Sequence, residues 1–263
     1  MTFIAGHPTL FLVGVPFALF LGMLVMLEAG RRLGRRRLAA DPESAKEGMG
    51  PVEGSVFGLL GLLVAFTFAG AASRFDTRRD MVVQEANVIG DAWARLDTLP
   101  PDTQPAIKDG MRRYVEARLE TYRLIPDIVA VRKELRRSVE IQDEIWRGAV
   151  AACADPRGQR VTMLVLPALD AAFDMTTIRT QKALHHPPLI IFLLLFVLAL
   201  ASALIAGHGM AGGKKRNWLS MAGYAAATAI AVYAILDLEF PRIGLVRLDS
   251  EDRMLVEVLD SMK

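Results

Sequence analysis

Four acidic side chains stand at the ends of the most apolar stretches of this chain: Glu28, Glu53, Asp237 and Glu239. A carboxylate at such a position is costly unless it faces water, a cation or a helix terminus. These residues are therefore candidates for an ion path, with solvated interfacial side chains as the alternative. Glu53 has a third interpretation, because an anion at the start of an apolar helix also acts as a cap.

The residue types that enzymes use for catalysis form no signature in this sequence. His185 and His186 are adjacent, so on a helix they point about 100° apart and cannot share a metal as an i,i+4 pair does. No neighbour of Cys153 suggests a reactive thiolate, and we expect this thiol to be packed and inert. Residues 207–215 lack the Gly-Lys-Ser/Thr ending of a phosphate loop and predict a flexible hairpin. We expect no enzyme, no metal site and no cofactor.

Four apolar stretches are long enough to cross a bilayer as helices. They are residues 10–27, 54–73, 189–206 and 219–236. A hydrocarbon core about 30 Å thick needs roughly 20 such residues. The pattern predicts an all-α integral membrane protein with four transmembrane helices and an amphipathic helical domain between the second and third. The predicted parts are residues 1–73 (two transmembrane helices and a basic loop), 74–187 (extramembrane helical domain), 188–240 (two transmembrane helices) and 241–263 (amphipathic tail).

The region between the second and third apolar stretches has the 3.6-residue period of amphipathic helices. In its first helix, one buried stripe is predicted from the spacing of Val82, Ala86, Ile89, Trp93 and Leu96. Helices are predicted at about residues 76–99, 103–124, 126–153 and 161–184. No breaking residue separates the second apolar stretch from the helix predicted at residues 76–99, so one long helix is allowed, and Pro100 ends it. Charges of both signs decorate these helices, which is typical of a solvated face with i,i+4 pairs. Arg112, Arg113, Arg118 and Arg123 lie among Glu116 and Glu120 in this way.

Basic residues give the orientation signal. The first short loop carries Arg31, Arg32, Arg35, Arg36 and Arg37, and the third carries Lys214, Lys215 and Arg216. The positive-inside rule places these loops in the cytoplasm, and both termini and the helical domain on the other side. Six basic residues flank that other side as well, so the opposite orientation stays open. The net charge of +2 comes without a basic stripe, which argues against nucleic-acid binding.

The second apolar stretch differs from the others because Gly, Ala, Ser and Thr alternate with Leu and Phe. This composition suits close helix packing or a pore wall. One side of this predicted helix, which we label α2 and which includes residues 54–73, carries Leu59, Leu62, Phe66, Ala69 and Ser73; we call these residues the α2 stripe. Repeated around an axis, the stripe would form a hydrophobic gate of an oligomeric channel. The alternatives are that the stripe packs on the protomer's own helices, and that the protein is a non-conducting scaffold or sensor.

Several segments together resemble the bestrophin-like family of bacterial membrane proteins. They are residues 28–36, 54–79, 85–100 and 237–247, with the run Ala65-Phe66-Thr67-Phe68 through Arg74 and Arg78-Arg79 into Glu85-Ala86-Asn87. Bestrophins, which are more distantly similar, are pentameric ion channels whose second membrane helix lines the pore and narrows at a hydrophobic neck. Here Phe75-Asp76 replaces the tryptophan pair that follows the arginine in bestrophins.

The resemblance implies a bacterial inner-membrane protein whose partners are the lipid bilayer, further copies of the chain and inorganic ions. It also implies a cytoplasmic helical domain, against the charge rule. The residues expected at the pore mouth or at an interface are Glu53, Arg74, Arg78, Glu85, Asn87 and Asp237.

Overall fold

The computed structural model describes residues 8–40, 50–125, 127–213, 217–247 and 252–263. Within these ranges the chain is helical and has no β-strand, which confirms the all-α prediction. The helices are α1 (Pro8–Ala40), α2 (Gly50–Leu96), α3 (Gln104–Arg123), α4 (Ile128–Ala154), α5 (Thr162–Leu184), α6 (Leu189–Gly209), α7 (Trp218–Glu239) and α8 (Asp252–Ser261). Short 3₁₀ turns span Gln159–Val161 and Met210–Gly212.

Five helices in the described part of the chain are long and apolar enough to cross a membrane. Four of them, α1, α2, α6 and α7, contain the four predicted stretches. The fifth is Gln159–Ala183, which includes most of α5 and lies in the region predicted to be extramembrane. The helix α2 runs unbroken for 47 residues, so the long helix that the sequence allowed is present.

The chain divides into two compact units, and α2 contributes residues to both. We call residues 8–74 with His186–Gly244 the apolar unit. Its core is formed by α1, α2, α6 and α7, with Leu19, Met23 and Leu27 among the buried side chains. The helices α1 and α6 cross in close contact, because a Cβ at Gly30 would lie 1.9 Å from the Leu204 carbonyl oxygen. Glycine is what lets the two backbones meet.

The second unit, which we call the amphipathic unit, consists of Phe75–His185 with Leu245–Lys263. Its core contains the predicted α2 residues Val82, Ile89 and Leu96, which are fully buried. Helix α4 begins at an N-cap, where the Asp127 side chain accepts hydrogen bonds from the Val129 and Ala130 amides at 3.0 and 3.1 Å. The C-terminal helix α8 packs on the same core through buried Leu255.

Candidate functional site

The α2 stripe faces outward from the apolar unit. Leu59, Leu62 and Phe66 are 54%, 52% and 68% exposed, and Ala69 and Ser73 are exposed as well. The opposite face of the helix, which includes Leu60 and Ala71, is buried. The alternative that the stripe packs on the protomer's own helices is therefore wrong. Large apolar side chains on this face are left for lipid, a second copy of the chain or a pore.

A row of small residues runs beside the stripe on the same exposed side of α2. Gly54, Gly58, Gly61 and Ala65 recur every three or four residues. A Cβ added at any of the three glycines would meet nothing within 4 Å. These glycines thus have no packing partner among the described residues, unlike Gly30. Rows of this kind allow another helix to approach closely.

The helix α2 is also the least covered of the five apolar helices. Only 11% of its most apolar window is buried, compared with 22 to 33% for the other four. The extra uncovered surface lies on the side that carries the stripe and the glycine row. This helix is the one that has most to gain from contacts outside the protomer.

A charged cluster lies at the end of α7 in the apolar unit. The Glu239 carboxylate is fully buried and accepts a hydrogen bond from Arg74 Nε at 2.8 Å. Its other oxygen lies 2.9 Å from His186 Nδ1, and the His186 ring packs on Phe240 with centroids 4.7 Å apart. The alternative that Glu239 is a solvated side chain at the membrane interface is therefore wrong. Arg74, predicted at the pore mouth, is held by this cluster.

Two further predicted residues of the apolar unit differ in their surroundings. Asp237 is buried, and a Cβ at Gly244 would lie 1.6 Å from its Oδ1, so only glycine fits there. Asp237 is therefore no solvated interfacial residue either. Glu53 is partly exposed, and its carboxylate lies 3.2 Å from the position of a Cβ at Gly209. Glu28 accepts a hydrogen bond from Arg32 one turn later, at 3.0 Å.

Glu85 is the centre of a buried polar network in the amphipathic unit. Its carboxylate accepts hydrogen bonds from Arg118 Nε at 2.9 Å, from the Tyr122 hydroxyl at 3.2 Å and from Thr176 Oγ1 at 3.3 Å. Arg179 donates to the same carboxylate, and its other terminal nitrogen lies 3.3 Å from Asp252. Glu85, Arg118, Arg179 and Asp252 carry two charges of each sign, so the network is neutral as a whole. It joins α2, α3, α5 and α8.

The electrostatics of this network depend on burial. The Tyr122 ring has the Arg179 and Arg118 guanidinium carbons 3.7 and 4.9 Å from its centroid. Burial raises the pKa of the Tyr122 hydroxyl above its ordinary value, and burial does the same for Tyr114. The phenols therefore stay protonated and serve as donors. Arg118 Nη1 is buried without a hydrogen-bond partner among the described residues.

The prediction that the arginines of α3 lie on a solvated face is correct for Arg113 and wrong for Arg118. Arg113 is partly exposed and pairs with Asp109 at 2.9 Å and with Glu144 at 2.7 Å. Arg118 is fully buried instead. The position of Arg118 in the sequence indicates burial, because Arg118 follows Tyr114 by four residues and precedes Tyr122 by four. It therefore lies in register with the apolar stripe of the helix.

The remaining predicted residues lie in the amphipathic unit. Arg78 is buried and donates to the His185 carbonyl oxygen at 3.2 Å, whereas Asn87 is exposed. Cys153 is a free, buried thiol, as expected for an inert cysteine. Across the described ranges, no three His, Cys, Asp or Glu side chains are grouped so that they could hold a metal ion.

These features define a multi-pass, all-helical membrane protein with an additional packed helical unit. A family model for the Bestrophin-like domain matches residues 17–252. The chain therefore belongs to the Bestrophin-like family. Neither a curated protein nor a solved structure matches it.

Proposed function

We propose that the protein is an oligomeric ion channel whose pore is lined by the α2 stripe. The observation that carries this proposal is the exposure of Leu59, Leu62 and Phe66 on the least covered of the five apolar helices in the described part of the chain. Membership in the Bestrophin-like family supports a channel in general terms. Five copies around the axis is the number that the resemblance to bestrophins implies.

The proposed gate works by excluding water. A ring of Leu62 and Phe66 side chains from several copies would be a narrow apolar constriction, and such constrictions dewet and block ions. Ser73 ends the stripe and Arg74 follows it, and these two residues would make the neighbouring part of the path polar. The glycine row beside the stripe would allow the α2 helices of adjacent copies to pack closely.

The proposed membrane arrangement uses α1, the first part of α2, α6 and α7 as the four spans in the bacterial inner membrane. The helix α5 is assigned to the inserted domain although its length allows a span. It carries Asp170, Asp174 and Arg179, and it packs Val165 and Leu169 into the core of the amphipathic unit. A span with that many charges would be costly in lipid.

The test compares two exposed phenylalanines in the full-length protein. Phe66 lies on the stripe, whereas Phe17, which is 59% exposed, lies on α1, outside both the stripe and the glycine row. Each is changed to alanine, and ion flux is measured in proteoliposomes and by single-channel recording with ion substitution. Because alanine widens and wets an apolar ring, Phe66→Ala should raise flux or open probability, and Phe17→Ala should leave both unchanged.

The subunit number is measured on the same preparations by native mass spectrometry in mild detergent. A monodisperse wild-type monomer, or equal flux in wild type, Phe66→Ala and protein-free liposomes, would remove the channel proposal. A non-conducting scaffold or sensor would then be the better assignment.

A further inference from the structure

A pocket of about 300 Å³ lies in the apolar unit, apart from the α2 stripe. Its walls are Arg31 of α1, Gly209, Met210 and Gly213 after α6, and Asn217 and Met221 at the start of α7. The volume is at the lower end of the range of small-ligand sites. The pocket is thus large enough for a small polar group.

Arg31 is the residue of this pocket that indicates a bound ligand. The side chain is only 7% exposed, yet among the described residues no hydrogen bond or ion pair reaches its guanidinium. Neighbouring Arg32 differs, since it is exposed and pairs with Glu28. A buried guanidinium without an ion-pair or hydrogen-bond partner is costly, and the five N–H donors of Arg suit a carboxylate or a phosphate. The pocket into which Arg31 opens is where an anion would relieve this cost.

The surrounding backbone fixes Arg31 in place. Gly30 and Gly34 flank it on α1, and a Cβ at Gly34 would lie 2.7 Å from the His208 carbonyl oxygen. On the facing helix, a Cβ at Gly207 would lie 2.0 Å from the Leu27 carbonyl oxygen. The two helices are therefore in backbone contact just where Arg31 leaves α1. Little freedom remains for the helix to rotate the arginine toward solvent.

The N-terminus of α7 adds further positive potential to the pocket. The Asn217 side chain caps this 22-residue helix by accepting a hydrogen bond from the Ser220 amide at 3.2 Å. With its oxygen used in the cap, the side-chain amide has N–H donors left for a ligand. The unpaired amides of a helix N-terminus also attract anions. Arg31 and the helix end thus act on the same volume.

We propose that this pocket binds a phosphate group, of the kind that a phospholipid head group or a soluble phosphate ester carries. Arg31 follows the last residue of the first apolar stretch by four positions, about 6 Å along the helix, and Asn217 precedes the last apolar stretch by two. The pocket therefore lies where hydrocarbon gives way to head groups. This site does not depend on ion conduction. Glu53, whose carboxylate approaches Gly209, sets a negative charge beside it and should weaken binding.

The test measures lipid binding to the full-length, delipidated protein by native mass spectrometry in detergent. The probes are phosphatidylglycerol, phosphate-free diacylglycerol and water-soluble glycerol 3-phosphate. Wild type should bind phosphatidylglycerol at least about tenfold more tightly than diacylglycerol. Arg31→Gln should weaken phosphatidylglycerol binding by about tenfold to a hundredfold, the loss expected for a hydrogen-bonded charge. Arg36→Gln, an exposed arginine on the same helix, is the matched control and should change it by less than about twofold.

Two further variants keep the result independent of folding. Asn217→Asp preserves the cap but sets a carboxylate against the phosphate, so binding should weaken. Glu53→Gln removes a negative charge and should strengthen binding. Because Arg31→Gln removes an unpaired buried charge, lipid-free protein should keep or raise its unfolding temperature.

The source of the phosphate follows from the third probe. Binding of phosphatidylglycerol without glycerol 3-phosphate assigns the site to a lipid, and comparable binding of both assigns it to a soluble ester. The proposal is overturned if Arg31→Gln binds phosphatidylglycerol as wild type does, if diacylglycerol binds equally well, or if Arg31→Gln lowers the unfolding temperature of the lipid-free protein.

Discussion

Replacing Glu85 by glutamine should loosen the amphipathic unit, because two arginines depend on this one carboxylate. Arg118 and Glu85 are both fully buried and are joined at 2.9 Å. Removing one partner of a buried ion pair costs about 3 to 5 kcal/mol, since the other charge stays buried without compensation. Arg179 retains Asp252 at 3.3 Å, so the loss falls mainly on Arg118.

This free energy predicts a large change in amide exchange. At about 1.4 kcal/mol for each factor of ten, opening of α3 should become about a hundredfold to a few thousandfold more frequent. Hydrogen–deuterium exchange mass spectrometry of the full-length protein measures this directly in peptides from Gln104–Arg123. The double variant Glu85→Gln with Arg118→Met should exchange more slowly than Glu85→Gln alone, because the uncompensated charge is then gone.

The matched control is a second interhelical pair of the same chemistry. Glu144 accepts from Arg113 of α3 at 2.7 Å, but both side chains are exposed to solvent. Exposed ion pairs contribute little, so Glu144→Gln should leave exchange in α3 almost unchanged. If Glu85→Gln changes exchange by less than about threefold, or no more than Glu144→Gln does, the idea that burial makes this network essential is refuted.

Three other perturbations have defined outcomes. Burial raises the pKa of the Tyr122 hydroxyl, so its contribution to stability is complete below the unfolded pKa of about 10 and is lost as the pH rises above that value. The difference in tyrosinate absorbance between wild type and Tyr122→Phe should therefore show no ionisation near pH 10 in the folded protein. A midpoint near pH 10 would contradict this. Gly58→Leu should break up the oligomer because the leucine fills the glycine row. Gly223→Leu, whose added Cβ also meets open space, should leave the oligomer intact. If native mass spectrometry gives the same subunit number for both variants, helix packing at Gly58 is contradicted. Because Cys153 is buried, membrane orientation is measured with Arg136→Cys, an exposed site, in a Cys153→Ser background. If the positive-inside rule holds, a membrane-impermeant maleimide should label the new cysteine in intact spheroplasts. Labelling only after lysis would establish the opposite orientation.

Helix positions follow from the sequence because period and helix breakers are local signals. The spacing of Val82, Ile89 and Leu96 predicted a buried stripe, and all three side chains are fully buried. Partners far apart in the chain carry no such signal. Glu85 and Arg179 are 94 residues apart, and nothing in the order of residues connects them. The exposure of Phe66 likewise depends on where the other helices pack, which the helical period alone does not determine.

One local feature of the sequence does indicate a buried charge. A charged residue in register with an apolar stripe must be paired inside the protein or must face a ligand, since burial without either is costly. Glu85 follows Val82 by three residues and precedes Ile89 by four, and it is paired. Arg31 follows buried Leu27 by four residues, yet it has no partner in the described part of the chain. By the same rule that accounts for Glu85, the burial of Arg31 without a partner among the described residues supports the proposed phosphate site.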